Sequence, residues 1–342
     1  MLEIDGAHGE GGGQLVRTAV ALAAIRGTPV RVRNVRAGRR NPGLAPQHVA
    51  AVSAVASMCD ARCAGVQPRS SELTFAPGRP RGGHYRVDVG TAGSITLVLQ
   101  AMLPVALVAA ERCEIAVRGG TDVRAAPPAD YFRFVLLPLL RRMGLRADLT
   151  VERRGYYPKG GGEVRLRLDP PARLAPFVAD QAEPVDGFDV YAHVARLPRE
   201  IAGRMVDAAL PALPAGPPVD LSVESIGAER SGGPGGAIVL CARTATTVLG
   251  AARVAERGVR AERLGRAAAD DLAADLRAGA TLDLHAADQM LVFLALAQGE
   301  SRFRARELSS HARTALWLLE RFGAARFVVE ADGRAVQVRV SR

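Results

Sequence analysis

The sequence predicts an α/β (α+β) chain of three βαβαββ repeats forming a large domain, the third split by a smaller inserted α/β domain. Three observations support this. Strand-like runs alternate with helical ones. The same element order returns after about 80 residues, too long for a solenoid unit and suited to duplicated half-domains. A later stretch, 185–280, carries strands and helices of its own. The chain has 342 residues, enough for roughly two domains at about 150 residues each.

Residues 2–5 read as a short strand, followed by a glycine loop, Gly6 to Gly13, and a helix from about Gln14 to Ile25. A strand at 29–36 leads through the basic loop Arg36 to Gly43 into a helix opened by Pro46. The second unit has a strand at 84–89, a loop from Gly90 to Ser94, a helix to about Ala110, a strand at 113–118, a helix starting near Pro127-Pro128, and strands around 147–154 and 163–168. The third copy has helices at about Ala286–Ala297 and Ser310–Phe322 and strands at 325–330 and 335–340. The large domain is therefore expected to span 1–184 and 281–342. The insert is expected to hold strands at 188–195, 219–225 and 237–243, helices at 198–210, 247–256 and 263–277, and a hairpin loop at Ser231–Gly236.

Composition excludes several classes. Hydrophobic residues make up 48% of the chain, too many for disorder throughout. The longest apolar stretch, Ser94 to Ala110, is interrupted by Gln100 and Pro104 and falls short of the ~18–20 residues a membrane span needs. The first residues are acidic where a signal peptide is basic, so a cytoplasmic protein is expected. With 45 basic and 35 acidic residues the formal charge is +10, which suits a polyanionic partner but equally an Arg- and Ala-rich composition. Only Lys159 is a lysine, in a turn-like Pro-Lys-Gly-Gly-Gly, and there is neither a P-loop nor a K-x-D-G motif. The four cysteines lack zinc-site spacing and read as buried thiols.

The glycine loop opening a helix is a place for phosphate, because unpaired N–H groups point outward there; a plain structural turn fits it equally. Glu10 within it is a candidate Mg²⁺ or Mn²⁺ ligand, since a carboxylate beside a phosphate needs a cation between them. Arg17 could reach the same anion. Arg36, Arg39 and Arg40, with Gln47 and His48 beyond, form a second anion-friendly loop or a solvated basic edge. His311 sits at the start of a helix capped by Ser309 or Ser310, where the positive helix end keeps an imidazole neutral. Histidines so placed are more often structural than catalytic. Asp288 and Gln289, after His285, could contact a base or ribose or cap their helix.

Taken together, these segments resemble the RNA 3′-terminal phosphate cyclase family. The resemblance rests on D-G-A-H-G-E-G-G-G-Q-L-V-R (5–17), R-A-G-R-R-N-P-G-L (36–44) with Q-H (47–48), and G-T-A-G-S-I-T-L-V-L-Q (90–100). It continues in G-G-T-D-V-R-A-A-P-P-A-D-Y (119–131), Y-Y-P-K-G-G-G (156–162), A-D-Q (287–289) and S-H-A-R-T (310–314). It covers the chain except the insert. It implies three repeats with an inserted domain, ATP as substrate, Mg²⁺ or Mn²⁺, and an RNA 3′-phosphate end as partner. By position it implies His311 as the adenylylated nucleophile and Glu10 as the metal ligand. It further implies Gln100, Pro128, Asp130, His285, Asp288 and Gln289 around the adenylate. Arg17, Arg36, Arg39, Gln47 and His48 would lie around the phosphates or RNA end. His285 stands where the family commonly has a tyrosine. No membrane partner is expected, and monomer and homodimer fit equally.

The competing readings are a non-catalytic cyclase-like protein of ribosome assembly, an enolpyruvyl transferase and a plain RNA-binding module. The first lacks the nucleophilic histidine present here, the second uses lysines this chain lacks, and the third would turn over no nucleotide.

Overall fold

The computed structural model describes residues 1–109, 111–170 and 173–342. The first repeat runs β1 (Leu2–Asp5), α1 (Gly13–Arg26), β2 (Val30–Arg33), α2 (Pro46–Met58), β3 (Arg62–Ala64) and β4 (Leu73–Ala76). Its sheet order is β1-β2-β4-β3, with β1 parallel to β2 and β4 antiparallel to both its neighbours. A parallel pair needs a crossover, which α1 supplies.

The second repeat repeats this plan with β5 (Gly83–Asp88), α3 (Ile95–Ala109) and β6 (Cys113–Gly119). Then α4 (Ala129–Tyr131) passes through a π-helical turn at Phe132–Leu136 into α5 (Leu137–Arg142), followed by β7 (Arg146–Arg153) and β8 (Gly162–Asp169). The order β5-β6-β8-β7 matches the first sheet position for position. Helix α3, apolar on nearly every face, is buried against α1, α2 and β6. Its expected end, Ala110, lies outside the described residues.

The third repeat opens with β9 (Val178–Ala179) and is then interrupted. The interruption holds β10 (Gly187–Ala195), α6 (Glu200–Ala209), β11 (Val219–Ile226), β12 (Gly235–Arg243), β13 (Val248–Val254) and α7 (Ala261–Arg277). The repeat resumes with α8 (Leu284–Leu296), β14 (Ser301–Ala305), α9 (Ser310–Arg321), β15 (Arg326–Asp332) and β16 (Ala335–Ser341). Read from β9 its sheet is β9-β14-β16-β15, the same order again. The expected fold class is the one observed. Among the described residues no helix is long and apolar enough to cross a membrane.

The inserted sheet, β11-β10-β12-β13, packs one face on α6 and α7. Its other face meets the large core: Val239, Cys241 and Val248 belong to that core, while Ile238, Leu240 and Ala242 face α6 and α7. Strand β12 is buried on both sides, which is why its sequence is an apolar run instead of an alternation. Tyr191 on β10 stacks on Phe134, ring centroids 3.8 Å apart.

Several expectations need correction. Residues 247–256, expected as a helix, contain strand β13. Leu and Ala favour a helix, but pairing with β12 from Val248↔Arg243 to Val254↔Ala237 overrides propensity. The glycine tract 231–236 is not a hairpin loop: β11 and β12 both pair with β10 and not with each other. Strands β3, β4, β9 and β14 lie outside the expected elements, although β4 and β14 alternate buried and partly buried residues. Cys59, Cys113 and Cys241 are buried as expected, but Cys63 is exposed at an edge strand.

Leu240 is fully buried between β12 and the insert's helices. Leu240→Ala is expected to cost about 2–5 kcal/mol by transfer loss and cavity formation, measured by urea unfolding monitored through far-UV circular dichroism.

Candidate active site

A cleft of about 660 Å³ opens where the glycine loop, the starts of α1, α2, α8 and α9, the segment 123–128 and strand β13 converge. Twelve of the thirteen site residues that the family resemblance implies line it: Glu10, Arg17, Arg36, Arg39, Gln47, His48, Gln100, Pro128, His285, Asp288, Gln289 and His311; Arg40, from the same basic loop, does not. Asp130 does not. It lies beneath the wall, where Arg154 Nη2 donates to both its carboxylate oxygens at 2.9 and 2.8 Å.

His311 occupies the first turn of α9. The Ser309 hydroxyl caps that helix, accepting from the Ala312 N–H at 3.0 Å, and itself donates to Asp288 Oδ1 at 2.6 Å. The His311 side chain is 46% exposed and its Nδ1 lies 3.5 Å from Glu10 Oε2. Partial burial lowers its pKa; Asp288 pulls the other way, and Arg17 and Arg39 add to the depression. The net shift is downward, so the ring is neutral at pH 7. Burial, rather than the helix end alone, is the leading cause.

The glycine loop docks on α9. The Glu10 N–H donates to Thr314 Oγ1 at 3.2 Å, and His8 stacks on Trp317 with centroids 3.8 Å apart. Gly9 adopts φ +59° directly over Thr314, where a Cβ would collide with the hydroxyl. A Cβ at Gly13 would run into the His48 ring, so glycine there lets α1 and α2 bring their starts together. The Glu10 carboxylate is ion-paired with Arg39, whose Nη2 also donates to the Glu10 carbonyl at 2.9 Å.

The basic residues play unequal parts. Arg36 Nη1 donates to the carbonyls of Asn41 and Gly43 at 2.7 and 2.8 Å, bracing its own loop. Arg17 is 8% exposed, faces the cleft and has no carboxylate partner among the described residues. Burial pushes its pKa down to about 10, which still leaves it a cation at neutral pH. A desolvated cation without a counter-ion is costly unless an anion joins it. His48 accepts the Ala45 N–H at Nδ1 (3.0 Å), and burial, aided by Arg17 and Arg36, pushes its pKa down to about 3. Gln47 Oε1 accepts weakly from the Ser94 N–H at 3.4 Å.

On the opposite wall Gln100 Nε2 donates to Gln289 Oε1 at 2.8 Å, joining α3 to α8. Burial raises the Asp288 pKa against the hydrogen bond from Ser309. Asp283 caps α8: its Oδ1 accepts from the N–H groups of His285 and Ala286, both at 3.0 Å, and from the Tyr131 hydroxyl at 2.6 Å. Its Oδ2 accepts from the Gly250 N–H on β13 at 2.8 Å. Tyr131 meets His285 edge-on, centroids 6.2 Å apart.

Sequence reasoning missed Arg124, Tyr131, Arg253 and Glu256, which also line the cleft. Arg124 and Tyr131 lay inside a recognised motif. Arg253 lay in the run misread as a helix, and nothing local signals that it reaches the site.

The family model described as RNA 3′-terminal phosphate cyclase matches residues 8–329. The chain belongs to the RNA 3′-terminal phosphate cyclase family. It is thereby a cyclase by enzyme class. A relative named RNA 3′-terminal phosphate cyclase from Nitrosospira multiformis is 53% identical over 99% of this chain and 96% of that protein. One from Methanopyrus kandleri is 45% identical over 94% and 93%, and one from Pyrococcus furiosus 40% identical over 100% and 99%. A crystal structure of the enolpyruvyl transferase NikO from Streptomyces tendae aligns with 98% of this chain and 47% of that one at 14% identity and TM-score 0.40, too weak a likeness to bear on the cyclase site.

The depressed pKa of His48 makes acid stability testable in this cyclase. The fold holds His48 unprotonated while the unfolded chain protonates it near its ordinary 6.5. Its contribution is thus complete above pH 6.5 and is lost as pH falls toward 3. Between those limits unfolding free energy should fall about 1.4 kcal/mol per pH unit on its account. Urea titrations should show that extra slope in the parent and not in His48→Asn.

Proposed function

We propose that the protein converts an RNA 3′-terminal phosphate to a 2′,3′-cyclic phosphate at the expense of ATP, through a covalent histidine–AMP. The observation that carries this reading is the buried, unpaired guanidinium of Arg17 sharing one cleft with a neutral, half-exposed His311. An anion receptor and a nucleophile facing one cleft are what nucleotidyl transfer requires.

With Nδ1 turned toward Glu10, Nε2 of His311 has the free lone pair. It attacks the α-phosphorus of ATP, forming a P–N bond as the bond to pyrophosphate breaks. The RNA 3′-phosphate oxygen then attacks the same phosphorus and frees the imidazole. The neighbouring 2′-OH attacks the activated 3′-phosphorus, loses its proton, and AMP leaves. Splitting the reaction this way exchanges a poor leaving group for AMP. The nucleophile being a histidine, a chain with one lysine is no handicap.

Arg17 and Arg39 would hold phosphate oxygens. Gln100, Pro128, His285, Asp288 and Gln289 would receive the adenosine. His285 can stack on a base, though over less area than a tyrosine. A divalent cation fits at Glu10, since Mg²⁺ is usually held by one or two carboxylates together with substrate phosphates. When bound it neutralises phosphate charge, a place that Arg39 fills on Glu10 here. We take 1–184 and 281–342 as the cyclase core and 185–280 as the inserted unit.

Incubation with α-labelled ATP and Mg²⁺ or Mn²⁺, without RNA, should leave acid-labile, base-stable label on denatured protein. His311→Ala should carry none. Label on His311→Ala, or none on the parent with either metal, sinks the proposal. A 2′-deoxy RNA end should be adenylylated but not cyclised. Because burial depresses the His311 pKa, labelling should hold constant from pH 7 upward and decline only below the ordinary histidine range.

A further inference from the structure

The wall of the cleft formed by Val123 to Pro128 carries no secondary structure of its own. It is a loop whose two ends, Asp122 and Asp130, are both buried carboxylates. One guanidinium joins them. Arg154 Nη2 takes Asp130 in a two-oxygen fork, and Nη1 approaches Asp122 Oδ1 and Oδ2 at 3.5 and 3.4 Å. The backbone closes the same neck, with the Ala129 N–H on the Thr121 carbonyl at 2.9 Å.

The inserted unit supplies the rest of the clasp. His193 on β10 sets Nδ1 3.2 Å from Asp130 Oδ2, with Nε2 3.7 Å from Asp122 Oδ2. The glycine tract left without a role above holds Arg154 in place. The Arg154 N–H donates to the Arg230 carbonyl and the Gly232 N–H to the Arg154 carbonyl, both at 2.8 Å. Burial and the Arg154 charge oppose protonation of His193, but Asp122 and Asp130 outweigh them and raise its pKa. Two carboxylates thus face a guanidinium and an imidazole. Asp122, Asp130 and His193 are of metal-ligating type and their ligand atoms lie within 4.8 Å of one another, but Arg154 already pairs with both carboxylates, so the cluster is an ion-paired clasp.

We propose that Arg154 and His193 are positioning residues for ATP: they draw together the two ends of 122–130 and so fix the wall against which the nucleotide lies. The inserted unit therefore shapes a cleft whose other walls belong mostly to the repeats. The ATP part of this inference rests on the proposed function; the clasp itself does not.

The test uses the full chain with Arg154→Lys, which keeps the charge but loses the fork, and His193→Gln, which keeps bulk but cannot become charged. Arg154→Ala is avoided because it strands two buried carboxylates. Hydrogen exchange read by mass spectrometry should show faster exchange across 121–131 in both variants. The ATP concentration for the half-maximal rate of self-adenylylation (the apparent KM) should rise by about tenfold or more while the limiting single-turnover rate changes little, because a displaced wall weakens binding without removing the nucleophile. Lower thermal stability with unchanged KM and unchanged exchange at 121–131 in His193→Gln overturns the proposal. If the parent forms no adenylate, the proposed function fails, and the exchange measurement still decides whether the clasp holds the wall.

Discussion

One carboxylate, that of Asp283, meets three walls of the cleft at once. Its four hydrogen bonds come from the first turn of α8, from Tyr131 and from strand β13. Four donors satisfy the hydrogen-bonding capacity of a carboxylate that would otherwise be costly to bury. Its neighbour Asp275 shows the converse: burial and the Asp283 charge, against Arg306 at 3.3 Å, push its pKa up to about 7. Asp275 Oδ1 is buried without a hydrogen bond among the described residues. The direction of α8, and with it His285, Asp288 and Gln289, follows from the cap that Asp283 supplies.

Around this anchor the cleft sorts its charges by depth. Arg17 is buried and uncompensated; Arg39 is half-exposed and paired; Arg36 is committed to its own loop. Of these three, only the first stands without a hydrogen-bonded or carboxylate partner among the described residues, and counting arginines in the sequence could not separate them. The positive field has a second effect, since it helps keep both His48 and His311 free of protons. The same positive field thus favours the neutral imidazole at both positions.

What the sequence disclosed follows from the range of the forces involved. Parallel strand–helix–strand units leave local periodicity and capping marks, so β1-α1-β2 and the S-H-A-R-T helix start could be read directly. Strand β13 could not, because its conformation is decided by β12 and not by its own alanines. The same limit applied to single residues. His311, Glu10 and Arg17 sit in motifs with local logic, whereas His193 looked like any histidine in a strand. Its significance arises only when β10 is laid against Asp122 and Asp130, some sixty residues earlier. Asp130 carried the motif but not the position, since Arg154 draws it under the wall.

The interruption of the third repeat has a consequence for how the chain acquires its fold. Strands β9 and β14 pair as Val178↔Arg302 and Phe303↔Ala179, so this sheet closes across the whole insert. Closing so long a loop from an open chain carries a large entropy penalty and slows folding. Yet the two ends of the insert leave from almost one point: Thr281 Oγ1 donates to the Ala179 carbonyl at 2.6 Å. An insert that has collapsed around its own apolar cluster presents β9 and α8 to each other as though joined by a short link. The topology therefore favours an order of events in which the interruption folds before the repeat it interrupts.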